Sequence, residues 1–504
     1  MKKLRIVSLL MSMLMVFLMT GCGDIDANVS VGDVTFYTDV SVIEDGATNE
    51  EQSDSKDTSS SVNTSGNSNT TQSNNASTGG STQTSSGNAT SSGGSTQKPA
   101  GNNGSTWEQV KAKIPANAKG KTIEVYSWNE VTDVTGAKDV IADFTKETGI
   151  KVKWTVGTYD DYTTKIAAMV ASKTAPDVVR LKGLDLGLIQ VLTPVKNLGY
   201  DFTDAAWDKR ICDFYTFKGN TYAVNMRNTL LQQPRALIYN TGLISKYDLE
   251  DPYTLWKKGK WTWDKFEEIC ETFTNETDDT HLAWTSYRWA DAADVYGTSF
   301  IKRNGDSFKE NYTDANLIKG WQTMTRFVEK GYTNNVRFDR SNFESGKILF
   351  FTESPIGVRR THYYFSNLKK TGSIKIVPMP TVKGGTTATI MGEVEAYGVP
   401  QGAKNASLVP YFLRYYLDGD NYDKNTFFVN KSVLDVYETL MANDKIFVNS
   451  DVNLITEDVG LGGIHLNARI VNVKPAQVAS KIETESGYIK AAVKSANGII
   501  SKLK

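Results

Sequence analysis

An alternation of apolar and amphipathic segments between residues 123 and 181 constrains the fold more than any other feature of this sequence. Short apolar runs predict strands at 123–126, 150–156 and 177–181. Apolar residues at helical spacing predict helices between them, at 137–148 and from 162 to about 175. Strand, helix, strand, helix, strand is the order of a parallel α/β sheet with helices on its faces.

Two loops at the carboxyl ends of these strands are the first candidates for a binding site. Ligands of open α/β sheets bind beyond the carboxyl ends of the strands. The loops that follow the first and third predicted strands are residues 127–132 and 180–185, and both carry polar and charged side chains. We therefore expect a ligand to lie against these two loops.

A low-complexity segment separates the start of the chain from its globular part. Residues 48–106 consist almost entirely of Ser, Thr, Asn and Gly. Such a composition buries too little apolar surface to offset the entropy lost on ordering, and it predicts a disordered tether. The globular part, residues 107–504, has about 400 residues, more than one hydrophobic core usually serves, which predicts two domains.

The start of the chain has the layout of a secretory signal. Basic residues precede an apolar run at 6–19, which is too short to span a bilayer, and Gly21 and Cys22 follow. This end resembles a bacterial lipoprotein signal, with Met19 where Leu is usual. The resemblance implies that residues 1–21 are removed and that Cys22 carries a lipid. In the short segment 22–47 that follows, apolar residues partly alternate from 28 to 43, which is typical of a hairpin.

Charge and motifs argue against several functions. Lys+Arg of 56 against Asp+Glu of 57 gives a net charge of -1 without a basic block, so no nucleic-acid partner is expected. The three histidines are scattered and the sequence contains no phosphate loop or hydrolase motif, so we expect no metal, no cofactor and no catalytic residue. Whether Cys212 and Cys270 form a disulfide stays open.

A series of short segments, in order along the chain, resembles the sugar-binding family of bacterial extracellular solute-binding proteins that includes maltose-binding protein. The resemblance covers essentially the whole globular part. Its segments are 141–152 (IADFTKETGIKV), 161–162 (DY), 176–179 (PDVV), 219–224 (GNTYAV), 237–240 (LIYN), 251–252 (DP), 259–264 (GKWTWD), 343–347 (FESGK) and 400–405 (PQGAKN).

This resemblance implies a two-lobed α/β fold of the type II periplasmic-binding-protein kind. Each lobe would be a mainly parallel sheet flanked by helices, with the ligand in a cleft at the hinge. Lobe one would hold about 121–223 and 378–430, and lobe two about 224–377 and 431–504. The family also implies a monomer that delivers a carbohydrate to the transmembrane subunits of an ABC permease. With Cys22 lipidated, it would be anchored to the extracellular face of the membrane of a bacterium of Gram-positive type.

A pocket for sugar needs aromatic rings that stack on the apolar face of the sugar and planar polar groups that bridge its hydroxyls. Loop position and the resemblance together predict twelve contacts to the ligand. Those from lobe one are Trp128, Asn129, Glu130, Arg180, Lys182 and Asp185, and those from lobe two are Trp284, Tyr287, Trp289, Glu353 and Arg360. Glu393 is predicted from a segment that crosses between the lobes. Glu395, on the same crossing segment, is an alternative to Glu393. Trp261 and Trp263 precede apolar residues at helical spacing, so we expect them to pack in the core.

Three other functions stay open. The same fold can bind a different solute, such as a peptide or a polyamine, although aromatic loops of mixed charge favour a neutral polyol. The chain can equally serve a membrane sensor in place of an importer. An exported glycan hydrolase also carries many aromatic residues, but it needs a pair of carboxylates that no motif in this sequence indicates.

Overall fold

The computed structural model describes residues 104–181, 183–286, 290–334, 339–360, 364–455 and 462–503. All of them belong to the unit that spans residues 92–504. The predicted signal, the lipid site at Cys22, the segment 22–47 and nearly all of the tether therefore lie outside the described residues. In the described ranges, no helix combines the length and the apolar character needed to cross a membrane.

The strands of the described ranges follow in chain order. They are β1 (Thr122–Ser127), β2 (Lys151–Val156), β3 (Val178–Arg180), β4 (Thr216–Phe217), β5 (Asn220–Thr221), β6 (Ala223–Val224), β7 (Gln233–Pro234), β8 (Ala236–Asn240), β9 (Leu282–Ser286), β10 (Ile301–Asn304), β11 (Ser307–Glu310), β12 (Ile348–Glu353), β13 (Ile374–Pro378), β14 (Thr389–Glu393), β15 (Tyr397–Gly398) and β16 (Ile446–Val448).

The α-helices surround these strands. They are α1 (Trp107–Lys111), α2 (Ala137–Thr148), α3 (Tyr162–Ala171), α4 (Leu186–Ile189), α5 (Lys209–Phe214), α6 (Thr241–Lys246), α7 (Pro252–Lys257), α8 (Trp263–Asn275), α9 (Asp291–Asp294), α10 (Ala315–Glu329), α11 (Arg340–Glu344), α12 (Ser366–Thr371), α13 (Val409–Tyr416), α14 (Lys424–Phe427), α15 (Lys431–Ala442), α16 (Asp451–Leu454), α17 (Gly462–Val471), α18 (Val478–Thr484) and α19 (Ser486–Lys502).

Short polar side chains and glycine determine where these helices begin and end. Asp314 caps the start of α10, because its side chain accepts hydrogen bonds from the amides of Asn316 and Leu317. The Thr262 side chain caps α8 by accepting a hydrogen bond from the Lys265 amide. Gly149 ends α2 in the left-handed region, with a φ of 72°, which a residue with a side chain rarely adopts. The sequence predicts both α2 and its end at Gly149, and the structure confirms them.

The first lobe is built on a five-stranded sheet in the order β2-β1-β3-β15-β6. Strands β1, β2 and β3 are parallel, which confirms the sheet predicted from residues 123–181. Strand β15 is antiparallel to both β3 and β6. Val125 on β1, Phe144 on α2 and Phe412 on α13 are fully buried in the core of this lobe.

The second lobe is built on a four-stranded sheet in the order β13-β8-β12-β9. The prediction of a mainly parallel sheet is wrong for this lobe, because only β12 and β9 are parallel. The path of the chain explains the difference. Strand β8 enters the lobe from the first lobe and β13 leads back toward it, so these neighbours run in opposite directions.

A third sheet, in the order β16-β14-β7, contains the segments that pass between the lobes. Strand β7 lies between β6 of the first lobe and β8 of the second, and β14 lies between β13 and β15. Strands β7 and β14 pair antiparallel. The two crossing segments are therefore hydrogen-bonded to one another, as a shared hinge requires. The exact lobe boundaries stay a prediction.

An aromatic cluster fills the core of the second lobe. Phe266 on α8 packs against Trp284 on β9 and Phe350 on β12, with ring centroids 5.5 and 5.1 Å apart. Trp261 and Trp263 are each only 4% exposed, so the prediction that they pack in the core is confirmed.

The two cysteines of the globular part form no disulfide. Cys212 and Cys270 are both free thiols. The fold of the described residues therefore rests on non-covalent interactions, without a disulfide between distant segments.

Candidate functional site

A cleft lies between the two lobes, where β1 and β3 of the first lobe end. The empty space within it, which includes open solvent at its mouth, is about 1130 Å³. Both lobes and the crossing segments line the cleft. The residues of the first lobe are Trp128, Asn129, Glu130, Asp133, Val134, Trp154, Tyr159, Arg180, Tyr397 and Tyr416. Those of the crossing segments are Leu231, Gln233, Arg235, Gly392, Glu393 and Glu395, and those of the second lobe are Arg340, Glu353, Ser354, Ile356, Gly357, Arg359 and Tyr364.

Half of the residues predicted to contact a ligand come together in this cleft. They are Trp128, Asn129, Glu130, Arg180, Glu353 and Glu393. They arrive from both lobes and from a crossing segment, as the resemblance implies for a hinge cleft. Contact with a ligand itself stays a prediction for each of them.

The loop after β1 is held rigid by its own polar groups. Asn129 donates its amide to the Ser127 hydroxyl, and its carbonyl accepts a hydrogen bond of 2.9 Å from the Trp154 indole. Glu130 and Asp133 form a reciprocal capping box around a single turn of 3-10 helix at Val131–Asp133. The loop therefore presents Trp128 and Asn129 to the cleft in a fixed orientation.

An ion pair between Arg180 and Glu395 joins the first lobe to a crossing segment. The Arg180 guanidinium donates two hydrogen bonds to the Glu395 carboxylate and a third, of 2.6 Å, to the Asn129 side chain. The Glu395 side chain is 3% exposed and that of Arg180 15%. Burial alone lowers the pKa of the Arg180 guanidinium, but the charge and hydrogen bonds of Glu395 raise it above its ordinary value.

Arg180 also orders the aromatic ring beside it. Its guanidinium lies over the Trp128 ring, 4.3 Å from the centroid. Tyr162 meets the same ring edge-on at 5.0 Å. One face of Trp128 is thus occupied by a cation, so Trp128 forms part of the wall that carries the Arg180–Glu395 pair.

The two crossing segments are joined by buried hydrogen bonds next to this pair. The Gln232 side chain accepts a hydrogen bond from the Glu395 amide and donates one to the Glu395 carbonyl, at 3.1 and 2.8 Å. The Asn225 side chain donates to the same carbonyl, and Gln233 donates to the Glu395 carboxylate. Glu395 is therefore held in place from the other crossing segment as well as from Arg180.

The wall from the second lobe is built around Glu353 at the end of β12. Glu353 accepts a hydrogen bond of 2.8 Å from the Ser354 amide, and the Arg340 guanidinium is 3.8 Å from its other oxygen. Arg340 also lies over the ring of Tyr364, 3.6 Å from the centroid. A Cβ at Gly357 would be 2.7 Å from the Glu353 Cγ, so glycine is needed for this close approach.

Arg359 lies on the same wall, immediately after the 3-10 helix Pro355–Val358. The residue is 6% exposed, and its Nε has no hydrogen-bond partner among the described residues. Burial and the like charge of Arg180 lower the pKa of the Arg359 guanidinium to about 10. The charges of Glu395 and Asp133 act in the opposite direction and partly offset this lowering of the pKa.

Three predicted contacts are wrong because the side chains have other places in the fold. Trp284 is fully buried among aromatic rings and donates its indole N–H to Thr352 at 2.8 Å, so it has no face for a ligand. Asp185 caps α4 through the amide of Leu188 and accepts a bond from the Thr163 hydroxyl. Arg360 is exposed outside the cleft and donates to a backbone carbonyl. Lys182, Tyr287 and Trp289 lie outside the described residues.

Several lining residues were missed by the sequence reasoning, although two of them carry a signal. Tyr159 follows β2, whose carboxyl end lies at the same sheet edge as those of β1 and β3. Arg235 lies on the crossing segment that pairs with the one carrying Glu393. No sequence pattern indicates that Arg340 and Tyr364 line the cleft. Arg340 lies on α11 and Tyr364 just before α12, and only the packing of these segments against β12 brings the two side chains there.

The described residues offer no place for a metal ion. Among them, no group of three or more His, Cys, Asp or Glu side chains is arranged to hold one. The carboxylates of the cleft are dispersed over both walls and are paired with arginines or amides. The arrangement is suited to hydrogen bonding with a polar organic ligand.

Known structures with the same architecture support the two-lobed fold. The GacH receptor of Streptomyces glaucescens is 15% identical with a TM-score of 0.53, over 76% of this chain and 99% of its own. The galacto-N-biose-/lacto-N-biose I-binding protein of Bifidobacterium longum is 15% identical with a TM-score of 0.55, over 74% and 97%. The sugar-binding protein MalE of Xanthomonas citri is 14% identical with a TM-score of 0.53, over 76% and 98%. At these identities the likeness shows the fold, which confirms the predicted two-lobed α/β class.

The sequence itself matches a family model, although no curated protein matches it closely enough to be counted. The model, described as bacterial extracellular solute-binding protein, covers residues 139–427, more than half of the 504 residues. The match spans parts of both lobes, both crossing segments and the cleft lining from Trp154 onward, and it begins after the loop that carries Trp128, Asn129 and Glu130. The family and the similar structures are binding proteins rather than enzymes. The chain therefore belongs to the family of bacterial extracellular solute-binding proteins, as its resemblance to that family predicts.

Proposed function

We propose that this chain captures a carbohydrate in the interlobe cleft, as the extracellular, lipid-anchored binding component of an ABC importer. The observation that carries this proposal is the composition of the cleft. Tyr159 and Tyr364 supply aromatic rings, whereas Glu130, Arg235 and Glu393 supply planar polar groups. Rings stack on the apolar face of a sugar, and planar carboxylates and guanidinium groups bond pairs of adjacent hydroxyls.

Two of the similar proteins bind ligands of this class. The Bifidobacterium longum protein was solved in complex with lacto-N-biose, and the GacH receptor in complex with acarbose. Sequence identity to both is low, so their ligands support the carbohydrate class and leave the particular saccharide to experiment.

The start of the chain supports delivery at a membrane. The predicted signal and Cys22 supply a lipid anchor, and the tether at 48–106 supplies reach. A flexible segment of this length has a root-mean-square span of about 40 Å. An anchored binding domain with such reach meets a permease in the same membrane much more often than a freely diffusing one. The two lobes would close on the sugar by a hinge motion at β7 and β14 and present it to the permease.

A thermal-shift screen of the purified chain tests the ligand class. The panel contains mono- and oligosaccharides, amino acids, short peptides and polyamines. A ligand at 100 times its dissociation constant stabilises the folded state by about 2.7 kcal/mol. We expect that stabilisation with at least one saccharide.

Two exposed tyrosines provide a matched pair of variants. Tyr159 is 48% exposed and lines the cleft, whereas Tyr488 is 37% exposed and lies away from it. Tyr159→Ala should weaken the saccharide shift, and Tyr488→Ala should leave it unchanged. Shifts confined to peptides or polyamines would overturn the carbohydrate assignment, and cleavage of a saccharide would show an enzyme instead.

A further inference from the structure

The charged residues of the cleft are paired, with one exception. Arginines 180, 235, 340 and 359 and the acids Glu130, Asp133, Glu353, Glu393 and Glu395 all line it. Each of these acids accepts a hydrogen bond or has another polar contact. Arg180 pairs with Glu395, Arg340 approaches Glu353, and Arg235 has a polar contact of its own. Among these charged residues of the cleft, and within the part of the chain that the structure describes, Arg359 is the one whose side chain has no ion pair and no hydrogen bond.

The burial of Arg359 means that the lack of a partner for its charge costs free energy. A buried charge normally has an opposite charge or a full set of hydrogen bonds, because its removal from water is expensive. Arg359 is only 6% exposed, and its Nε is buried without an acceptor. The like charge of Arg180 adds to the cost and, with burial, lowers the pKa of the Arg359 guanidinium. Arg359 is one of the residues that line the cleft.

We propose that the cleft selects a saccharide that carries a carboxylate, such as a uronic acid unit, and that Arg359 binds this carboxylate. The proposal rests on the carbohydrate function proposed above and adds the chemical class of the sugar. A carboxylate matches the planar fork of a guanidinium and supplies two acceptors to a group that has none.

The acidic residues of the cleft do not oppose an anion at this position. Glu395 is neutralised by Arg180, and the carboxylate of Glu353 faces Arg340. Glu130 and Asp133 cap a turn at the outer end of the first-lobe loop, where Glu130 is exposed. The aromatic loops of mixed charge predict a neutral ligand from sequence, and the unpaired Arg359 is what changes that expectation.

Calorimetric titration of the purified chain with matched ligands tests the proposal. One ligand is a uronate oligosaccharide, and the other is the neutral product obtained by reduction of its carboxyl groups, with the same length and linkages. A charged hydrogen-bonded pair should favour the uronate by about ten- to hundredfold in dissociation constant. A sugar phosphate of similar size serves as a third ligand.

Arg359→Gln should abolish the preference, so that the uronate and the neutral oligosaccharide bind alike. Arg360→Gln is the matched control, because Arg360 is adjacent in sequence but exposed outside the cleft, and it should keep the full preference. Arg359→Gln should also be at least as stable as the unmodified chain in urea, which shows that it folds.

Each other result has a distinct meaning. Equal binding of the uronate and its neutral counterpart by the unmodified chain would overturn the carboxylate assignment and keep the carbohydrate function. Stronger binding of the sugar phosphate would also overturn it. Binding of no saccharide, neutral or charged, would overturn the carbohydrate function itself.

Discussion

Replacement of Glu395 by Gln removes the carboxylate that neutralises Arg180, and we expect it to lower the free energy of unfolding by about 3 to 5 kcal/mol. Both side chains are nearly buried, at 3% and 15% exposure. In a two-bond pair the charges lie about 4 Å apart, and at an effective dielectric constant of about 20 their attraction is about 4 kcal/mol. The variant leaves the Arg180 charge buried without an opposite charge.

Urea unfolding, followed by tryptophan fluorescence and by circular dichroism, measures this loss. A double variant with Arg180→Met removes both charges, so it should be more stable than Glu395→Gln alone. Lys209→Gln is the control, because the Lys209–Asp213 pair is exposed and its loss should leave stability unchanged. A loss below about 1 kcal/mol for Glu395→Gln, or a double variant whose loss equals the sum of the single losses, would refute this account of the pair.

Three further predictions concern the core, the acid response and the thiols. Trp284→Ala should cost about 3 to 5 kcal/mol in urea unfolding but leave ligand affinity in calorimetry unchanged, because Trp284 is fully buried. Burial raises the pKa of the Glu267 carboxyl, but hydrogen bonds led by that from Arg326 lower it below its ordinary value. This contribution to stability is present above the unfolded pKa and is lost as the pH falls through the folded one, so Glu267→Gln should be less stable than the unmodified chain at pH 7, and the difference should shrink as the pH is lowered into the acid range. Burial raises the pKa of the Cys212 thiol to about 12 and that of Cys270 well above its ordinary value, so mass spectrometry should find both unalkylated until the protein is unfolded.

Local patterns were enough to predict the core of the first lobe. Strands β1, β2 and β3 and helix α2 follow from apolar periodicity and from Gly149, which are properties of neighbouring residues. The rule that ligands bind beyond the carboxyl ends of strands then places Trp128 and Arg180 in the cleft, where the structure has them.

The second lobe was less predictable because its geometry depends on how the chain crosses between lobes. The same β-branched and aromatic residues form parallel and antiparallel strands, so no local pattern indicates that β8 and β13 run in opposite directions. Trp284 shows the same limit at the level of one side chain. A tryptophan next to a loop is suited equally to a sugar or to a core, and only the packing of Phe266 and Phe327 against Trp284 decides.

Arg359 and Arg360 show how finely a binding site is determined by backbone geometry. The two residues have the same side chain and are adjacent, so composition, charge and resemblance cannot distinguish them. Arg359 has extended backbone, with φ of -64° and ψ of 148°, and successive side chains of an extended chain point to opposite sides. One arginine therefore enters the cleft and the other reaches solvent. The resemblance selects Arg360 as a contact, whereas its neighbour Arg359 lines the cleft and is the residue that we propose binds a carboxylate. Which of two adjacent, identical residues becomes buried is set by the backbone, and no pattern in the sequence indicates it.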